Sequence, residues 1–232
     1  MFLHSIVWNA VNYFPPFFRY KAFDYRARKN IQAATSGHNV NGLTSAEFYW
    51  QQYKSENKIA LVRYIADRFK FEQLAILDFG CHCGNTLRLI DEMVHTRLDY
   101  SGIDPNAANL AFAKAKFERS RHNCSFLIGS DDNLASLTAG MDYDIFLVSS
   151  VFYAMSPSRV RHVLDVAKGC AKHIIIADDL SQMKASSTIL TKSFVHPYCK
   201  FLNAHGFQIE HTECYQHPEV AYTGFLCARP VI

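Results

Sequence analysis

An excess of charge of either sign is missing from this chain: 24 Lys and Arg stand against 21 Asp and Glu, a net charge of +3. General nucleic-acid binders carry a strongly basic face, so no nucleic-acid partner is expected. Paired cysteines are missing too. The 7 cysteines are odd in number and irregularly placed, which excludes the disulfide framework of a small secreted domain. No cleavable leader with a basic start is visible, so a cytoplasmic location is expected. Internal repeats and low-complexity tracts are absent. What is plentiful is apolar residue, 49% of the chain, enough for a sizeable globular core.

The most local absence lies at the start. Residues 1–18 contain no Asp, Glu, Lys or Arg, yet carry Phe2, Leu3, Ile6, Val7, Trp8, Val11, Tyr13, Phe14, Phe17 and Phe18, broken by Pro15 and Pro16. The cations Arg19, Lys21, Arg26, Arg28 and Lys29 follow, against the single acid Asp24. Two readings stay open. A short aromatic helix followed by cations fits contact of residues 1–30 with a membrane surface, at its inner face. The same aromatics equally fit packing on the body of the protein or on a second copy in a homo-oligomer. Residues 32–44, with Gly37, Asn39, Asn41 and Gly42, read as a linker. This divides the chain into an N-terminal helical extension with its linker, 1–44, and a domain, 45–232. Thr44 or Ser45 is placed to cap a helix beginning at Ala46 and Glu47, and the apolar spacing from Phe48 to Phe69 predicts mostly core positions on it. Tyr49, Trp50 and Tyr53 lie on that helix, where an aromatic either packs in the core or closes over a ligand.

The most informative stretch is Leu77-Asp78-Phe79-Gly80-Cys81-His82-Cys83-Gly84-Asn85, because the apolar run 74–77 feeds directly into an acidic, glycine-bearing turn. It reads as a strand, a loop and a helix start. Gly80 permits a tight turn or close ligand approach, and Gly84 lets the next helix pack on the strand. Cys81 and Cys83 lack the second half of a zinc site, so no metal is expected and small side chains packing under a loop are the simpler reading. Downstream, the apolar run 100–103 ends in Asp104-Pro105-Asn106, where an acid can grip ribose hydroxyls. Two more strand candidates follow. Residues 124–128 lead into Gly129-Ser130-Asp131-Asp132-Asn133-Leu134, and residues 143–148 into Ser149-Ser150. Polar residues thus recur at the carboxyl ends of successive strands, the edge where open parallel sheets bind ligands.

These motifs resemble the class I S-adenosylmethionine-dependent methyltransferases from about Ser45 onward. The resemblance implies an α/β, three-layer, Rossmann-like fold with a seven-stranded, mostly parallel sheet and an antiparallel C-terminal hairpin; alternation in 207–213 and 220–228 agrees with the hairpin. It implies S-adenosylmethionine as cofactor, with Asp78, Gly80, Cys81, His82 and Gly84 lining its methionine and ribose part. Asp104 would hold the ribose hydroxyls, Asp131 or Asp132 would face the adenine, and Ser149 would lie beneath the methionine. His82 departs from the family pattern, standing where a glycine often takes positive φ; histidine is among the residues that tolerate that region.

Methyl transfer from a sulfonium needs positioning and, for a hydroxyl acceptor, a base. Candidates are Tyr153, Asp178, Asp179 and His196. His196 is preferred, because imidazole titrates near neutrality and the resemblance places a His and Tyr before this late helix near the acceptor. Asp178 and Asp179 lack a carboxylate partner at Ser149-Ser150 and read as capping or acceptor-binding groups rather than metal ligands. His211 and His217 read as surface residues. With no Asn-Pro-Pro-Tyr or Asp-Pro-Pro-Tyr after the fourth strand, the expected acceptor is an oxygen of a small molecule or glycan, narrowed by the N-terminal segment to a lipid-linked surface saccharide. Two alternatives remain: a catalytically silent methyltransferase-fold binding protein, and an NAD-dependent oxidoreductase, whose glycine spacing is not met.

Overall fold

The computed structural model describes residues 39–40, 43–70, 73–179, 188–189, 194–215 and 223–231. The aromatic and basic segment 1–30 and His217 lie outside the described residues. The main sheet has seven strands: β1 (Gln73–Phe79), β2 (Arg97–Asp104), β3 (Asn123–Ile128), β4 (Tyr143–Ser149), β5 (Ala171–Asp179), β6 (Phe207–Tyr215) and β7 (Thr223–Pro230). Their order is β6-β7-β5-β4-β1-β2-β3. The strands β1 to β5 pair in parallel, while β7 is antiparallel to both neighbours, so the hairpin expected at the end of the chain forms with its second strand innermost.

Burial explains the order. In β1 every position from Ile76 to Phe79 is buried, the signature of a parallel strand covered on both faces. The edge strand β3 buries only Phe126 fully. On one face, Leu61, Val62 and Ile65 of α2 (Glu56–Arg68) join Leu87 and Ile90 of α3 (Asn85–Met93) and Leu110 and Ala113 of α4 (Ala107–Phe117). The short helix α5 (Leu134–Leu137) follows β3. On the other face, Val160, Val163 and Leu164 of α6 (Pro157–Cys170) and Phe201 and Leu202 of α7 (Tyr198–Ala204) complete the third layer. Each such side chain contributes about 1.5–3 kcal/mol by leaving water.

The leading segment corrects one expectation. A single helix was expected from Ala46 to Phe69; the chain instead forms α1 (Ser45–Gln51) and α2, parted at Gln52–Ser55. Thr44 caps α1 in a full capping box with Glu47, worth about 1 kcal/mol. The break has a physical cause. Tyr53 is drawn down to Glu92, its hydroxyl donating at 2.5 Å, and the Arg88 guanidinium lies 3.8 Å from its ring centroid. The stretch read as a linker also contributes a two-strand pairing, Asn39–Val40 with Leu43–Thr44, directly before α1. Among the described residues no helix is long and apolar enough to cross a membrane.

Candidate cofactor and acceptor site

Strand order places the site. From β1 the chain winds outward to β2 and β3, then returns across β1 to β4, which opens a crevice at the carboxyl ends of β1 and β4. The loop after β1 turns sharply there. Gly80 has φ 80° and Gly84 φ 75°, and both Gly80 and Cys81 donate their amides to the Ile103 carbonyl, at 2.7 and 3.1 Å. A side chain at Gly80 would collide with Val151, and one at Gly84 would come within 2.8 Å of the Phe117 ring. His82 occupies the left-handed region at φ 52°, as its position in the motif predicts. Cys81 turns its sulfur under the loop against Gly102, so its backbone, not its thiol, is what the loop offers to a ligand. Burial pushes the Cys83 thiol up to about 11 and the Cys81 thiol far above its usual value, leaving both protonated.

Two acids wall the loop. Asp104 accepts the His82 amide on Oδ2 at 3.0 Å and the Asn106 amide on Oδ1 at 2.9 Å, so the end of β2 fixes the loop after β1. Burial raises its pKa. Asp78, fully buried at the end of β1, accepts the Tyr100 hydroxyl at 2.6 Å; burial raises its carboxyl to about 6. Two buried polar atoms here, Ser149 Oγ and His82 Nδ1, have no hydrogen-bond partner among the described residues. Such groups are uncommon in folded proteins, and both lie on elements that border the crevice. Gly80's restricted space, the clamped Asp104 and these orphaned atoms fit a nucleoside-bearing ligand held by loop and strand ends.

The third predicted acid is held differently. Arg159 of α6 grips Asp131 with Nε and Nη2, and Nη2 also reaches Asp132 at 3.2 Å. Asp131 is buried, whereas Asp132 stands exposed. The cation on α6 thus fixes the turn after β3, and Asp132 is the acid left facing outward.

Residues 77–174 match a family model described as a methyltransferase domain. Among solved structures, the magnesium protoporphyrin IX methyltransferase of Synechocystis with bound SAM aligns at TM-score 0.60 and 16% identity, over 90% of this chain and 95% of that one. A SAM-dependent methyltransferase from Aquifex aeolicus aligns at 0.55 and 16%, over 79% and 98%. The [4+2]-cyclase SpnF aligns at 0.58 and 16%, over 75% and 82%. No curated protein matches. Residues 77–174 are thus similar in sequence to a methyltransferase domain, and the described residues share the fold of these methyltransferases.

On the β4–β5 side of the crevice the structure departs from the sequence reading. His196 was expected to face the acceptor; its ring is fully buried, with Nε2 2.9 Å from the Phe152 carbonyl and 3.1 Å from that of Met155. Burial lowers its pKa to about 4. A general base must reach the proton it removes, and this ring is closed in beneath the 3₁₀ turn Phe152–Ala154. Tyr153, on that turn, is exposed; its amide donates to Asp178 Oδ2 at 3.0 Å, and the Tyr198 hydroxyl reaches the same oxygen at 3.1 Å. Burial of its hydroxyl end raises the Tyr153 phenol's pKa, with Asp178 adding to the effect. Across the crevice mouth, Tyr49 of α1 is exposed and lays its ring edge-on to His82, centroids 5.0 Å apart. Trp50 and Tyr53 pack inward instead.

Three residues of this site carried no motif. Ser45 Oγ lies 3.1 Å from His82 Nε2, tying α1 to the loop after β1. Lys58, half-buried on α2, is electrostatically coupled to Asp78 and Cys83. Arg159 could have been suspected only from the need of Asp131-Asp132 for a cation.

Proposed function

We propose that this chain is an S-adenosylmethionine-dependent methyltransferase acting on an oxygen of a small molecule or glycan. The observation that carries the reading is the loop after β1, turned by Gly80 and Gly84 and held from β2 by Asp104. In this reading Asp104 receives the ribose hydroxyls, and Asp78, His82 and Ser149 line the amino-acid end. Asp132, the exposed one of the two acids that Arg159 pairs with, meets the adenine in preference to the buried Asp131. The cofactor, when bound, supplies a sulfonium methyl group; the protein's part is to aim the acceptor oxygen at it and keep water out. Tyr153, protonated at neutral pH, donates a hydrogen bond that positions the acceptor; a carboxylate oxygen takes the methyl group with no proton to lose, whereas a hydroxyl acceptor gives up its proton to solvent. The Synechocystis neighbour's porphyrin substrate supports a small-molecule acceptor; the lipid-linked saccharide rests on residues 1–30 alone.

The test is conversion of S-adenosylmethionine to its demethylated product by the full chain with panels of hydroxyl, carboxylate, glycan and amine acceptors. Turnover on an oxygen acceptor, weakened by Tyr153→Phe and retained in His196→Gln, is the expected result. Turnover only on amines would overturn the oxygen assignment. A second reading, a methyltransferase fold that binds the cofactor without transferring its methyl group, is favoured by one observation, the burial of the candidate base His196; cofactor binding with no turnover on any panel would establish it.

A further inference from the structure

The two edges of the main sheet are finished differently. At β6 the edge carries Glu210 and Glu213, is broken by a bulge between Ile209 and His211, and has Glu210 paired with Arg229 at 3.1 Å. Charges and bulges of this kind keep an exposed strand from recruiting another. The opposite edge, β3, has neither: residues 123–128 carry no charge, and their pairing with β2 runs without a break in register. Among the described residues no strand pairs with the other side of β3. The Gly129 amide donates inward to the Asp104 carbonyl at 3.1 Å, so by alternation Cys124, Phe126 and Ile128 turn their backbone N–H and C=O groups outward. Ile128, 61% exposed, is the most exposed large apolar side chain of the described residues. Along the same strand, a groove of about 280 Å³ is lined by Phe117, Cys124 and Phe126 together with the exposed Lys114 and Glu118. Charge sits at the strand's two ends, with the exposed Arg119 and Arg121 before it and the acidic turn Asp131-Asp132 after it. Arg121 also holds Asp91 and Asp132 also meets Arg159, yet both side chains keep an exposed face.

We propose that β3 is a self-association edge, pairing antiparallel with β3 of a second copy of this chain about a two-fold axis at Phe126. Centring the axis there sets Phe126 against its own counterpart and Cys124 against Ile128 of the other copy, so all three outward-facing residues exchange hydrogen bonds. Paired residues of an antiparallel ladder share a face. The exposed Ile128 of each copy therefore stands over the groove beside Cys124 of the other. Charge selects the direction: antiparallel pairing brings Arg119 and Arg121 of one copy toward the acidic turn of the other, whereas parallel pairing sets like charges together. The contact is isologous and closes at two copies.

Sedimentation equilibrium of the full chain tests this. The wild type is expected to dimerise reversibly with a micromolar dissociation constant, and Ile128→Lys to weaken the dimer by about tenfold or more. That substitution falls on an exposed side chain, so the variant's far-UV dichroism should match the wild type's. A second variant reads the register. Ile128→Cys sets a thiol opposite the native Cys124 of the other copy, at the roughly 5.5 Å Cα separation of a hydrogen-bonded antiparallel pair and within disulfide reach. Oxidation with copper-phenanthroline should link two copies through positions 124 and 128, read by peptide mass mapping, and adding Cys124→Ala should abolish that link. A wild type that stays monomeric to about 100 µM overturns the proposal. A dimer that Ile128→Lys leaves intact is held by another face or by residues 1–30, and overturns it too. A dimer that Ile128→Lys breaks, but that forms no link between positions 124 and 128, overturns the pairing centred on Phe126.

Discussion

The two halves of the crevice are built on opposite plans. On the β1–β2 side, the polar groups hold a tight loop in place: Asp104 spans two amides of neighbouring turns, Asp78 is held by Tyr100, and the loop between them is shaped by two glycines of positive φ. On the β4–β5 side, the polar groups are turned toward one another. Asp178 gathers the Tyr153 amide and the Tyr198 hydroxyl, and His196 is spent on two carbonyls. The first half is a loop fixed by its neighbours' backbone, and the second is a scaffold from which Tyr153 alone among these residues projects. A short motif can encode the first, because every partner lies within a loop or at the end of the next strand. In the second, the place of His196 is set by a contact with Phe152, 44 residues away.

The sharpest way to break the first half is Gly80→Ala. Its φ of 80° and the proximity of Val151 should together lower stability by about 2–4 kcal/mol, read as a fall in Tm, whereas Gly169→Ala, which meets nothing within 4 Å, should change it little. Next is Arg159→Met, which strands the buried Asp131. Arg159 is partly exposed, so screening reduces the loss to about 1–3 kcal/mol in urea unfolding, and Asp131→Asn should recover much of it. A third effect is pH-dependent. The Asp78 carboxyl, raised to about 6, loses its charge as pH falls through 6, so affinity for a ligand with an α-ammonium group should fall toward tenfold per unit below that point; Asp78→Asn should flatten the profile. For stability the sign is opposite: the folded chain binds this proton more tightly than the unfolded one, so Asp78 contributes stability as pH drops from about 6 toward the ordinary 3.8. The smallest effect is expected on the second half, where Tyr153→Phe should reduce turnover by about tenfold while leaving cofactor affinity and Tm within error.

What was legible in the sequence follows the same division. The strands at the centre of the sheet, the glycine turn and the acid after β2 were readable because local spacing alone defines them. The Thr44 cap was readable for the same reason. The break between α1 and α2 was not, since apolar spacing continues smoothly across Tyr53 and the cause of the break is Arg88 and Glu92 on another helix. His196 misled because a histidine's chemistry is visible in sequence while its burial is not. Lys58 was silent because nothing in an amphipathic helix marks which lysine turns inward.

The central claim is that the loop after β1, held by Asp104, is a cofactor site. Isothermal titration of the full chain with S-adenosylhomocysteine and with NAD, before and after Asp104→Ala, tests it most directly. Micromolar binding of S-adenosylhomocysteine, weakened by about tenfold to a hundredfold in Asp104→Ala and absent for NAD, is the predicted result. Equal affinity in wild type and variant, or binding of NAD instead, would contradict it.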